Sequence, residues 1–113
     1  MTKPDDATRL KHMLDSALDA VEFLGDSTLD EFQKDKKLLN AIVRSLEIIG
    51  EAASNVTEDM QEKHPEIEWP VIIGMRNRIV HAYYDINSVI VWKTVKENLP
   101  PLIEKLRSIL NNL

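Results

Sequence analysis

Leu38-Leu39-Asn40-Ala41-Ile42-Val43-Arg44-Ser45-Leu46-Glu47-Ile48-Ile49-Gly50-Glu51-Ala52-Ala53 is the stretch that decides the fold of this 113-residue chain. Leu38, Ala41, Ile42, Ser45, Ile49, Ala52 and Ala53 recur at steps of three and four, which puts them near one face of a helix. The pattern predicts a long helix over 35–55. Gly50 inside it costs about 1 kcal/mol relative to alanine. Such a residue is tolerated where a second helix must come close, so this helix is expected to be packed on by others.

Working outward from it, the chain reads as helix in both directions. Asp5 and Asp6 can cap a first helix with Leu10, Leu14, Ala17, Val21 and Leu24 along its buried stripe, and Gly25 stops it. Ser27 or Thr28 restarts the chain, with Leu29 and Phe32 as a short apolar anchor. Residues 56–67 are polar, contain His64-Pro65, and read as a connection with one turn starting at Thr57. Pro70 suits the first turn of a third helix, expected over 70–84. Asn87 or Ser88 caps a fourth, carrying Val91, Trp92 and Val95, which Pro100-Pro101 kinks or breaks before Leu102, Ile103, Leu106, Ile109 and Leu110 resume the pattern. There is no strand alternation, repeat or low-complexity tract. The expectation is an all-α antiparallel four-helix bundle with a kinked or split C-terminal helix, as one domain over 1–113.

Composition narrows the chemistry. Hydrophobic residues at 43 % and charged residues at 29 % are those of a globular chain. Three separated glycines cannot build a phosphate-cradling loop or a dinucleotide fingerprint, and the absence of cysteine removes disulfides, thiol nucleophiles and thiolate zinc sites. The first residues carry no apolar leader, and the run 71–75 is too short to cross a bilayer, which points to a cytoplasmic protein without membrane association. Net charge is −5. Proteins that grip long nucleic acid by its backbone carry basic surfaces, so a DNA-binding role is not expected. An enzyme acting on RNA needs only local positive charge.

Such a local concentration lies at Arg76-Asn77-Arg78-Ile79-Val80-His81-Ala82-Tyr83. An arginine holds phosphate with a planar fork, and a histidine moves protons near neutral pH. Together they can cleave a phosphodiester without a metal or cofactor. On a helix turning about 100° per residue, Val71, Ile72, Met75, Ile79 and Ala82 form a core stripe. Ile73, Asn77, Val80, His81 and Tyr84 form a second face, with Asn77 and His81 adjacent. Apolar residues around catalytic-type polar groups suggest a partner surface, most simply a second copy related by a two-fold axis. Taken alone, a histidine such as His81 is more often an ordinary surface or hydrogen-bonded residue, Arg76 suits a salt bridge to a neighbour, and Tyr83 and Tyr84 suit interface aromatics.

This segment resembles the motif of the HEPN superfamily, in particular its HepT-like toxin branch. The likeness extends to Arg44-Ser45-Leu46-Glu47-Ile48-Ile49-Gly50-Glu51-Ala52-Ala53, to Trp69 through Tyr83, and to Asp85-Ile86 and Val91-Trp92, in the same order. It implies a helical bundle that dimerises to form a composite ribonuclease site. By that resemblance Arg76 and His81 are the catalytic pair, Asn77 is their polar companion, and RNA is the substrate. It further implies a toxin whose cognate antitoxin is a minimal nucleotidyltransferase that silences it by transferring AMP to Tyr83. Tyr84 stands beside that target.

Other polar residues are assigned to the background. Glu47 and Glu51 are read as a solvated helix face, an orienting role for Glu51 toward Arg76 being the lesser reading. His12 and His64 show no metal-ligand spacing. Two rival readings remain open: a non-catalytic nucleotide- or substrate-binding subunit that partners a nucleotidyltransferase, and a plain structural dimer.

Overall fold

A computed structural model describes residues 5–82 and 85–113. The chain forms an all-α bundle: α1 Asp6–Leu24, α2 Leu29–Gln33, α3 Lys36–Ser54, α4 Glu58–Lys63, α5 Trp69–Ile73, α6 Met75–Ile79, α7 Ser88–Lys93 and α8 Leu99–Asn111. α1 and α3 pack along each other, α8 lies against α1, and α5 and α6 lie against α3. One core runs through them, including Leu10, Met13, Phe32, Ile42, Leu46, Ile49, Ile79 and Leu106. The stripe of α3 is wider than its sequence spacing predicts, because helices approach it from several sides. Val43 and Leu46 are buried, whereas Ala41 is exposed, which corrects its assignment to the core face.

The helix starts follow from local hydrogen-bonding groups. Asp5 Oδ1 accepts the Thr8 N–H at 2.9 Å, and Asp35 Oδ1 accepts that of Leu38 at 3.0 Å. Thr28 and Glu31 satisfy each other's backbone donors at the start of α2. Thr57 caps α4, and Asn87 caps α7. Asp6 does not cap: its carboxylate accepts the Thr57 N–H at 3.0 Å and hydroxyl at 2.7 Å, tying the start of α1 to the start of α4. Gly25 ends α1 with φ 52°, a backbone region that side chains disfavour.

The C-terminal helix is deformed without being severed. Between α7 and α8, Thr94–Asn98 forms a π-helical turn in which the Leu99 N–H reaches back five residues to the Thr94 carbonyl. A proline ring collides with the carbonyl four residues before it and offers no N–H. The wider turn makes room for Pro100 and Pro101, so the helical path continues. Among the described residues, no helix is long and apolar enough to cross a membrane.

The third predicted helix departs most from expectation. Instead of one helix over 70–84, the chain forms α5, a break at Gly74, the short α6, and then β1 Val80–Ala82, which pairs antiparallel with β2 Asp85–Ile86. Val80 is extended at φ −118°, ψ 105°. The cause is partly local, since Ile79 and Val80 are β-branched and a five-residue helix propagates poorly. It is also non-local: the Asn87 N–H donates to the Ile79 carbonyl at 2.8 Å, and Ile86 pairs with Val80.

Candidate active site

Trp69 anchors the segment that carries the motif. Its side chain is buried, and its indole N–H donates to the His64 carbonyl at 3.0 Å. Pro70 occupies the first turn of α5, where its missing N–H leaves nothing unsatisfied. Ile72, Met75 and Ile79 then point into the core. Val71, placed on the core stripe by the wheel, is instead 44 % exposed and lines an open groove.

Gly50 sets the distance between α3 and this segment. A Cβ there would stand 3.2 Å from the Ile72 carbonyl oxygen and 3.6 Å from that of Ile73. The two backbones therefore approach closely enough that any Cβ would be tight against the carbonyl, in agreement with the reason inferred for its place in the helix. Glu47, nearly one turn earlier on α3, consequently reaches across to α6.

There its Oε2 accepts the Arg76 Nε–H at 3.1 Å. This corrects the reading of Glu47 as merely solvated and the lesser reading of Glu51 as the residue that orients Arg76, while Glu51 remains a surface residue. Glu47, only 24 % exposed, is the partner of Arg76, whereas Glu51 lies 3.5 Å from Arg44. The available signal was the position of Glu47 relative to the glycine that marks the crossing. Arg76 itself is 56 % exposed. With Nε held by the carboxylate, its terminal guanidinium nitrogens have no protein partner among the described residues. A guanidinium held on one edge and open on the other is suited to a phosphate.

Asn77 is exposed on α6, and its backbone N–H closes the turn on the Gly74 carbonyl at 3.1 Å. His81 is the middle residue of β1, not part of a helix, so the expected adjacency of Asn77 and His81 on one helical face is not the observed backbone geometry. The His81 imidazole lies outside the described atoms, as do Tyr83 and Tyr84 altogether. Of the second apolar face, Ile73 is 39 % exposed, while Val80 is half-buried against the core. No cluster of three or more His, Asp or Glu side chains suited to a metal occurs among the described residues.

Comparison with known proteins bears on this arrangement. The sequence model of the ribonuclease HepT-like family matches residues 13–109. A Methanocaldococcus jannaschii protein named as a candidate RNase is 37% identical over 113 residues, spanning 100% of this chain and 93% of that protein. A Thermococcus cleftensis protein named probable ribonuclease HepT is 40% identical over 104 residues, spanning 86% of this chain and 94% of its own. A Caldanaerobacter subterraneus candidate RNase is 38% identical over 101 residues, spanning 89% of this chain and 90% of its own. No solved structure gave a significant match.

Proposed function

The chain belongs to the ribonuclease HepT-like family, and from that premise we propose that it is the toxin of a toxin–antitoxin pair, an endoribonuclease working without a metal. Its active site forms across a two-fold homodimer, and a cognate minimal nucleotidyltransferase silences it by attaching AMP to Tyr83. The observation that carries the nuclease reading is the Arg76 guanidinium, tethered at Nε by Glu47 on a side chain that is more than half exposed.

The chemistry follows from the residue types. His81 removes the proton from a ribose 2′-hydroxyl as that oxygen forms a bond to the adjacent phosphorus. The bond from phosphorus to the 5′-oxygen breaks, and the leaving oxygen takes a proton from the partner copy's imidazole. The products are a 2′,3′-cyclic phosphate and a free 5′-hydroxyl. Arg76 stabilises the charge that builds on the phosphoryl oxygens, and Asn77 contacts phosphate or fixes the histidine tautomer. The exposure of Ile73 on α5 and of Asn77 on α6 supports the dimer surface. In the silencing step, the Tyr83 phenol oxygen bonds to the α-phosphorus of ATP, pyrophosphate departs, and the phenol proton is lost to solvent. The new phosphate supplies an anion with which Arg76 is expected to pair.

The purified chain, incubated with RNA in chelator, should yield 2′,3′-cyclic ends. Arg76→Ala and His81→Ala should each abolish cleavage and cell toxicity while retaining the helical circular dichroism. Full toxicity with His81→Ala would support a non-catalytic nucleotide- or substrate-binding subunit instead.

A further inference from the structure

A second feature lies on the opposite flank of α6. Between α5–α6 and the π turn with α8 runs a groove of about 180 Å³. Thr94 and Asn98 of the π turn, with Pro101 and the start of α8, build its far wall. Apolar side chains of Val71, Met75, Leu99 and Leu102 face it from the two sides, beside an almost equal share of polar surface. Glu68, Arg78, Glu97, Asn98 and Lys105 stand around it. Among the described residues, none of those four charged side chains is ion-paired.

The mixture of groups restricts the occupant. A bare anion would meet Glu68 and Glu97, and a bare cation would meet Arg78 and Lys105. A purely aliphatic side chain would leave every one of these polar groups unused. A nucleobase satisfies the whole set: a flat face for the apolar walls, and donors and acceptors on its edge for carboxylate and amide. The flanking phosphate suits Arg78 and Lys105. We propose that this groove binds one base of the RNA strand near the cleaved bond and sets sequence preference, an inference that rests on the ribonuclease reading above.

Continuity with the candidate active site supports it. Arg76 and Arg78 lie about 200° apart around α6, so one faces α3 and the other the groove. One helix diameter, about 10 Å, separates these flanks, which a stacked strand covers in about three nucleotides.

Methionine-methyl NMR of the full chain tests this, using a 2′-O-methyl oligoribonucleotide that has no hydroxyl to attack. The Met75 resonance, assigned with Met75→Leu, should shift on titration, and Asn98→Ala and Lys105→Ala should each weaken the response about tenfold. An abasic oligonucleotide should leave it unmoved. A silent Met75 while RNA binds, an equal response to the abasic strand, or no RNA binding at all would overturn the proposal. A shift produced by the nucleotidyltransferase and not by RNA would also overturn it, in favour of protein docking. Cleavage of the unmethylated strand, run in parallel, separates the two readings. Cleavage with a silent Met75 sinks the groove alone, and a responsive Met75 without cleavage sinks the nuclease alone.

Discussion

Glu47 and Arg76, 29 residues apart in sequence, meet at 3.1 Å between α3 and α6. The pair joins the long central helix to the short one that presents the proposed phosphate-binding cation. Exposed ion pairs contribute only about 0.2–1 kcal/mol to stability, and more than half of this arginine is open to water. If Arg76 is catalytic as proposed, the pair's value lies in fixing direction, because a guanidinium that wanders loses rate faster than it loses fold.

Glu47→Ala should therefore lower kcat for RNA cleavage about tenfold or more, with a stability change under about 1 kcal/mol. Glu47→Gln, which keeps an acceptor without the charge, should fall between Ala and wild type. Steady-state kinetics beside a thermal melt would check this, and an Ala variant with unchanged kcat would remove Glu47 from the site.

Gly50→Val should destabilise the chain by about 1–3 kcal/mol, despite valine's better helix propensity. The added carbons meet the backbone carbonyl of Ile72, which cannot swing aside as a side chain can. A denaturant midpoint at or above that of wild type would show that α5 can retreat.

Ile73→Glu should break the homodimer and RNA cleavage together, leaving a folded monomer by light scattering. Ile73 is a cleaner probe than Val80, whose half-buried side chain also packs on the core. A dimer that survives the substitution would move the two-fold axis elsewhere.

Co-expression with the cognate nucleotidyltransferase should add AMP to Tyr83 and leave Tyr84 unmodified. Tyr83→Phe should prevent modification and leave the nuclease unsilenced. Peptide mass spectrometry decides between them, and an unmodified Tyr83 in a neutralised complex would point to steric masking.

Acid should weaken the helix caps. Backbone donors of Thr8 and Thr28 hold the Asp5 and Glu31 carboxyls below their ordinary range. Because these folded-state values are depressed, their contribution is present above the unfolded carboxylate range and lost as pH falls through the folded one. Asp5→Asn keeps a capping side chain but cannot titrate. The variant should show a shallower fall in Tm between about pH 5 and pH 2 than wild type.

Much of the architecture was legible because its causes are local. Asp5, Thr28, Asp35, Thr57 and Asn87 announce helix starts by chemistry that operates within four residues. Gly50 announced a close approach and so marked Glu47, nearly one turn earlier, as a candidate; that Arg76 is its partner depended on the crossing geometry of α3 and α5. The end of α6 was illegible for the same reason. Ile79 and Val80 tolerate either conformation, and the choice falls to Ile86 and Asn87, which lie further along the chain. A helical wheel drawn through Gly74 and Val80 therefore assigned faces to residues that share no helix axis.

The π turn at Thr94–Asn98 has a mechanical consequence. With no N–H on Pro100 or Pro101, the hydrogen-bond ladder of the last helix lapses between its two halves, although the path is continuous. α8 is fastened to α1, whereas α7 is fastened to α2, α3 and α6. The two halves are thus held by different elements, with the π turn itself packed on α1 and α8, and the gap in the ladder is where one half is expected to open before the other. Native-state hydrogen exchange would register this as two opening free energies along what looks like a single rod.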